Sequence, residues 1–218
     1  LVTYLHQFGL GQKLNIDYHT EEAGFIPTKE FYDRLYQHVY NGWRSTYILS
    51  IGIGQGELEF TTLQMANLAA IIANRGYFYT PHFVKEFIDK NYALDNEFVQ
   101  KKDVKIKDEY FVPVIDGMSK VTTMGTGKLA YIPGIEVCGK TGTSENAGKD
   151  HSVFFAFAPK DNPQIALAVY VENAGFGGDI AAPIASLMIE KYINRSISDN
   201  RKWLEERMKK LDLVNNNL

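Results

Sequence analysis

Cysteine is almost absent from this sequence. Cys138 stands alone among 218 residues, so no internal disulfide can form. The sequence therefore neither demands nor excludes an oxidising compartment. Long apolar runs are missing too: no stretch reaches the 18 or so residues of a membrane-spanning helix, and the start shows no signal peptide. Neither sign of charge dominates. With 23 Lys and Arg against 26 Asp and Glu the formal net charge is -3, which excludes a general pull toward nucleic acid. His6, His19, His38 and His82 are scattered without metal-ligand spacing, and no metal or cofactor is expected. What is present is ordinary for a packed protein, at 45% hydrophobic and 22% charged residues. The length fits one large domain or two small ones, and a chain of this size buries about 70% of its unfolded surface. It opens at Leu1 without a methionine, inside sequence that already reads as structured. It is expected to be a piece of a longer protein, whose anchor or targeting segment would lie upstream.

Local patterns give a mixed helix and strand reading. Leu1, Leu5 and Phe8 sit at helical intervals and Gly9 and Gly11 close that helix. Residues 21–47 lack periodicity but hold Phe25, Phe31, Tyr32, Tyr36 and Trp43, which predicts a long connecting segment pinned down by aromatics. Ile51–Glu59 has glycines at alternate positions, a backbone that something can approach closely. Thr61 and Gln64 predict a capping box, Leu63, Ala66, Ala70 and Ala73 a helix face, and Gly76 its end. Residues 80–107 read as short strands and surface loops, including the alternating Val104–Lys107. A second helix carries Val114, Ile115, Met118, Val121 and Thr122 and stops at Gly125; residues 125–134 form a loop. Glu136–Thr143, Ser152–Pro159 and Gln164–Glu172 read as strands, the last two joined as a hairpin through Lys160-Asp161-Asn162-Pro163. Helices follow at about Ala181–Ile193 and Ser198–Leu211, with Ser198 as N-cap of the last one and Trp203, Leu204, Met208 and Leu211 as its packing face. Asn215–Asn217 reads as a frayed end.

The chemistry concentrates at Gly139-Lys140-Thr141-Gly142-Thr143. On its own this is a strand with an exposed lysine and two threonines. On a sheet edge it offers more. Lys140 is a fixed positive charge, Gly142 leaves room for a substrate backbone, and Thr143 presents a hydroxyl and an N–H to an anion or oxyanion. Strict alternation places Lys140 and Thr143 on opposite faces, so they share a site only off the strand edge or where the strand twists. Cys138 reads as a small buried thiol, and His151, beside Asp150, as a turn or packing residue.

A Lys-Thr-Gly strand is shared by penicillin-binding proteins and class A β-lactamases. The ordered set Phe8-Gly9-Leu10-Gly11, Pro27-Thr28, Gly52–Glu57, the Thr61–Gly76 helix, Lys140–Thr143, Asp150-His151, Phe157-Ala158-Pro159 and Ala181–Ala185 resembles the transpeptidase domain of class B penicillin-binding proteins. Trp43–Pro81 looks most like the elongation-type group, penicillin-binding protein 2. The resemblance covers nearly the whole chain. It implies an α+β type of α/β fold, an antiparallel sheet with flanking helices, here an incomplete transpeptidase fold. Residues 1–218 would be the C-terminal portion of a single domain. Within it, 1–134 would be mostly helix and loop, 135–195 would hold the Lys-Thr-Gly strand, hairpin and packing helix, and 196–218 the last helix and tail.

The resemblance also implies a mechanism. In this family a serine of a Ser-x-x-Lys motif attacks the D-alanyl-D-alanine end of a peptidoglycan stem peptide, a second peptide's amine resolves the ester, and β-lactams trap the serine. Lys140, Thr141, Gly142 and Thr143 are the implied catalytic segment. Lys140 would serve the charge network; Thr143 would bind the substrate carboxylate and supply an oxyanion donor. Implied partners are stem peptides, β-lactams and a membrane glycosyltransferase of the elongation machinery. The implied location is a periplasmic domain of an inner-membrane-anchored protein. The family order is Ser-x-x-Lys, Ser-x-Asn, Lys-Thr-Gly. None of the eight serines has lysine three residues later, and Ser144-Glu145-Asn146 and Ser198-Asp199-Asn200 fall on the wrong side of Lys140. The nucleophile is thus expected upstream of Leu1, and the chain alone is expected to be inactive. Two sheet strands of the family also precede the nucleophile, so exposed edges and self-association are expected. The alternatives are a non-catalytic scaffold or sensor of the same fold, and a β-lactamase relative, against which the Gly-Ile-Gly-Gln-Gly-Glu loop argues.

Overall fold

The computed structural model describes residues 1–89 and 91–214; the expected frayed end at Asn215–Asn217 lies outside them. The chain divides into two compact units, residues 1–64 with 79–100, and residues 65–78 with 101–218.

The first unit is built from short helices and turns. Helix α1 is Val2–Gln7, and Gly9 and Gly11 follow it at positive φ. Helix α2, Lys29–Leu35, lies in the segment expected to be a long connection. Thr28 caps it, its Oγ1 accepting the Phe31 N–H at 3.3 Å, and Lys29 pairs with Asp33 one turn on. The seven-residue helix is too short for an apolar period to show. The expected aromatic packing is present: Tyr32 is buried, with Phe31, Tyr36 and Trp43 around it. Ser45–Ile53 winds as a 3-10 helix that ends at Gly54, φ 78°. The glycine loop after it is tied back by Glu57, whose carboxylate accepts the Tyr32 hydroxyl at 2.7 Å.

Helix α3, Thr62–Ala73, starts with the capping box. Thr61 Oγ1 accepts the Gln64 N–H and Gln64 Oε1 accepts the Thr61 N–H, both at 3.1 Å. The same Gln64 amide donates to the Gln12 and Ala23 carbonyls, so a polar residue is fully buried and satisfied. Of the expected face, only Ala73 is fully buried; Leu63, Ala66 and Ala70 are half-covered, and Ala69, Ile71 and Ile72 take the interior. Helix α4, Asn96–Val99, buries Phe98.

In the second unit strand β1, Tyr77–Phe78, pairs antiparallel with β2, Lys102–Asp103. Val104–Lys107, expected to alternate as a strand, forms none: Lys105 takes a left-handed φ of 56° while Val104 is buried and donates its N–H to Gly76 O. Helix α5, Phe111–Thr123, forms where the sequence predicts a helix; it buries Phe111, Ile115, Met118, Ser119 and Thr122 and leaves Val114 exposed. A three-stranded antiparallel sheet follows: β3 Cys138–Ser144, β4 His151–Ala158 and β5 Ile165–Val171, in the order β3-β4-β5. Helix α6, Ala181–Asn194, packs against β4 and β5. Its small residues Ala181, Ala182 and Ala185 admit Phe154 and Ile189 to one core with Val137, Ala156 and Leu167. Fully burying one such large side chain is worth about 1.5–3 kcal/mol.

Helix α7, Lys202–Lys210, is preceded by a 3-10 turn at Asp199–Arg201. A buried ion pair anchors that turn: Arg201 Nε lies 3.0 Å from Glu190 Oε2. Arg201 also reaches Ser186 Oγ and the Tyr131 carbonyl. Ser198 stands at the N-cap position but caps nothing with its side chain. Its hydroxyl donates to Glu190 Oε1 at 2.6 Å, because the buried carboxylate is the stronger acceptor. The expected packing face of α7 is narrower than its apolar pattern. Leu204 is buried and Met208 and Leu211 half-covered, while Trp203 is exposed.

Candidate active site

Strand β3 is an edge strand, paired along its whole length with β4 and with no other strand among the described residues. Its inner end is fixed from several sides. Thr122 Oγ1 donates to Val137 O at 2.9 Å, and Ser119 Oγ donates to Glu136 Oε1 at 2.7 Å. Lys160 bridges Glu136 and Asp116 at 3.3 and 2.9 Å. The Ser119 hydroxyl first, then Lys160, holds the Glu136 carboxyl below its ordinary range; Lys160 does the same to Asp116 and is itself pushed up by both acids. Cys138 is fully buried opposite Phe157, and burial pushes its thiol up to about 12. It is inert at neutral pH, a packing residue as expected.

Beyond Cys138 the strand opens outward. Gly139 faces Phe154: a Cβ there would lie 2.2 Å from the ring, so this glycine makes room for the core. Lys140 is exposed, and its Nζ folds back to donate to the Thr141 carbonyl at 2.6 Å. That contact bears on the opposite-face problem raised by strand alternation. The ammonium leaves its own face and comes to the edge, level with the backbone of the next residues. Thr141 Oγ1 shares a 2.6 Å hydrogen bond with Thr126 Oγ1. Gly142 pairs with Val153, and Thr143 pairs with Ser152, both half-exposed on the motif side. The four residues singled out in the sequence therefore lie consecutively along one sheet edge.

The two decoy motifs have other work. Ser144 ends β3 opposite His151 and its hydroxyl meets the Tyr170 phenol. Asn146 donates to Asn173 Oδ1 at 3.1 Å. His151 Nδ1 accepts the Asn173 N–H at 3.0 Å, and its ring lies 5.3 Å from that of Tyr170, the turn and packing role expected of it. Gly177 and Gly178, which by sequence only lead from β5 into the next helix, lie against the backbone of Gly142 and of Thr126. Their glycine pair was visible, but the close approach that requires it was not.

The edge strand thus carries an exposed ammonium at its rim, a glycine without a side chain and flanking threonines. Residues 1–190 match the penicillin binding protein transpeptidase domain. The chain belongs to that family. It is 30% identical to the peptidoglycan D,D-transpeptidase MrdA of Haemophilus influenzae, an alignment that covers 98% of this chain and 35% of that protein. It is 33% identical to the MrdA of Acinetobacter baumannii, over 87% of this chain and 30% of that one. The crystal structure of Pseudomonas aeruginosa PBP2 in complex with WCK 5153 superposes with a TM-score of 0.73 at 30% identity, covering 90% of this chain and 42% of that chain. The chain thus spans about a third of the length of the curated relatives it matches. The mixed helix and antiparallel-sheet fold and the kinship with penicillin-binding protein 2, both expected from the sequence, hold.

Proposed function

We propose that these 218 residues are the C-terminal portion of a single peptidoglycan D,D-transpeptidase domain. The observation that carries the reading is β3, with the Lys140 ammonium folded to an edge that Gly142 leaves unobstructed. An extended peptide laid along such an edge places its carboxylate and reacting carbonyl beside Lys140 and Thr143. Fixed donors there stabilise the negative charge that develops on the carbonyl oxygen. In the whole protein a serine attacks the stem peptide's penultimate D-alanine, the terminal D-alanine leaves, and the amine of a second stem peptide takes the acyl group. β-Lactams occupy the same place and leave the serine acylated. Lys140 and Thr143 are the substrate-binding pair, and Lys140–Thr143 the part of the catalytic machinery this chain contributes.

The nucleophile is assigned to sequence outside these residues, since no serine here is followed by lysine at the third position. The chain by itself is inactive on this reading. The whole protein is assigned to the periplasmic face of the inner membrane, beside a membrane glycosyltransferase of the elongation machinery, on the family resemblance alone. The test is Lys140→Ala in the chain joined to its upstream sequence. Acylation by penicillin is expected to slow by about 10²–10³-fold, the cost of one charge-stabilising group. Acylation at the unaltered rate would contradict the role of this strand.

A further inference from the structure

We propose that Gly177 is a positioning residue for the Lys140–Thr143 segment, acting through the peptide of Gly142; the proposal rests on the transpeptidase reading of that segment. A Cβ built on Gly177 would lie 2.3 Å from Gly142 O, 2.3 Å from Val153 O and 3.0 Å from Gly142 N. Gly142 and Val153 are cross-strand partners. The loop between β5 and α6 therefore lies flat on the backbone of that pair. Nothing in the contact is a side chain that can rotate away. Gly177 is buried, and its φ is not left-handed, so closeness and not backbone conformation is what demands glycine here.

The loop is held in place independently of β3's own edge. Ser152, buried opposite Thr143, donates its hydroxyl to Phe176 O and accepts the Ala181 N–H, each at 3.0 Å. Gly175 donates to Asp150 O at 2.8 Å. Gly178 repeats the device one residue on: a Cβ there would lie 2.2 Å from Thr126 O, on the residue whose hydroxyl bonds Thr141. Two successive glycines thus support the sheet from one face at Gly142 and at Thr141's partner. Thr143 follows Gly142 through a single peptide. Anything larger than hydrogen at position 177 lifts that peptide and re-aims the Thr143 N–H and hydroxyl.

The test begins with the amide resonances of Gly142, Thr143 and Val153 in the 15N-labelled chain. Gly177→Ala is expected to move all three and to leave those of Ile189 and Leu204 in place. The control Gly148→Ala, whose added Cβ meets nothing within 4 Å, is expected to move none of them. Unmoved Gly142 and Thr143 resonances in a folded Gly177→Ala chain would overturn the proposal. The consequence is read in the chain joined to its upstream sequence. The penicillin acylation rate constant is expected to fall about 10–100-fold, with the preceding non-covalent binding constant kept within about twofold. No loss, or an equal loss in both constants, overturns the positioning role. Where Gly177→Ala does not fold, Ser152→Ala removes the hydroxyl ties to Phe176 O and the Ala181 N–H on either side of Gly177 without adding an atom. It is expected to show the same split, and unchanged acylation overturns the proposal. An unaltered joined chain that takes up no penicillin contradicts the transpeptidase reading alone, because the amide resonances report on Gly177 without it.

Discussion

Cys138 and the Glu190–Arg201 pair show how single residues in this chain are governed by burial. The Cys138 thiol, pushed up to about 12 from 9.0 by desolvation, is a poor nucleophile and a poor leaving proton. Iodoacetamide at pH 8 is expected to spare it in the folded chain and to label it fully in denaturant; equal labelling would contradict its burial. Its folded-state pKa lies above its unfolded one, so its contribution to stability is complete below about pH 9 and is lost as pH rises toward 12. Cys138→Ala is expected to flatten that alkaline fall in thermal melts. Glu190 and Arg201 are 1% and 7% exposed, and burial lowers the guanidinium's pKa against the opposing pull of Glu190. Glu190→Ala leaves Arg201 without its counter-charge, an expected loss of about 3–5 kcal/mol in denaturant unfolding. Replacing both, Glu190→Met with Arg201→Leu, is expected to cost far less, because no charge is then stranded.

At the scale of elements, the start of α3 is fixed by a device contained in four consecutive residues. Thr61→Ala is expected to cost about 1 kcal/mol, the ordinary value of an N-cap. Gln64→Ala is expected to cost more, since it also abandons the Gln12 and Ala23 carbonyls; denaturant melts of the two variants check the order. The capping box was legible in the sequence because both partners lie within one turn. The β4–β5 hairpin was legible for the same reason, apolar runs flanking Lys160–Pro163. Helix α2 was not, although Thr28 and the Lys29/Asp33 spacing are local signals; seven residues give an apolar period too few repeats. Val104–Lys107 misled because alternation tells nothing of φ, and Lys105 turns the chain. Ser198 misled because a buried carboxylate eight residues earlier competes for its hydroxyl. At the site, the Lys-Thr-Gly strand could be read directly, but the fold-back of Lys140 and the seat of Gly177 on Gly142 depend on tertiary approach.

For the whole molecule, the three-stranded sheet presents β3 as one edge, and the residues that follow β5 support that edge from one face. Residues 1–190 match the penicillin binding protein transpeptidase domain, and on the proposed reading the 218 residues supply its substrate strand while the activated serine lies outside them. On that reading the chemistry is divided between these residues and sequence outside them. The most direct test is intact mass after incubation with excess benzylpenicillin, on this chain and on the chain joined to its upstream sequence. The account predicts no adduct on the first and one penicillin per molecule on the second, on a serine outside residues 1–218. A stoichiometric adduct on the chain alone, abolished by prior denaturation, would place an activated nucleophile among the eight serines here and contradict it.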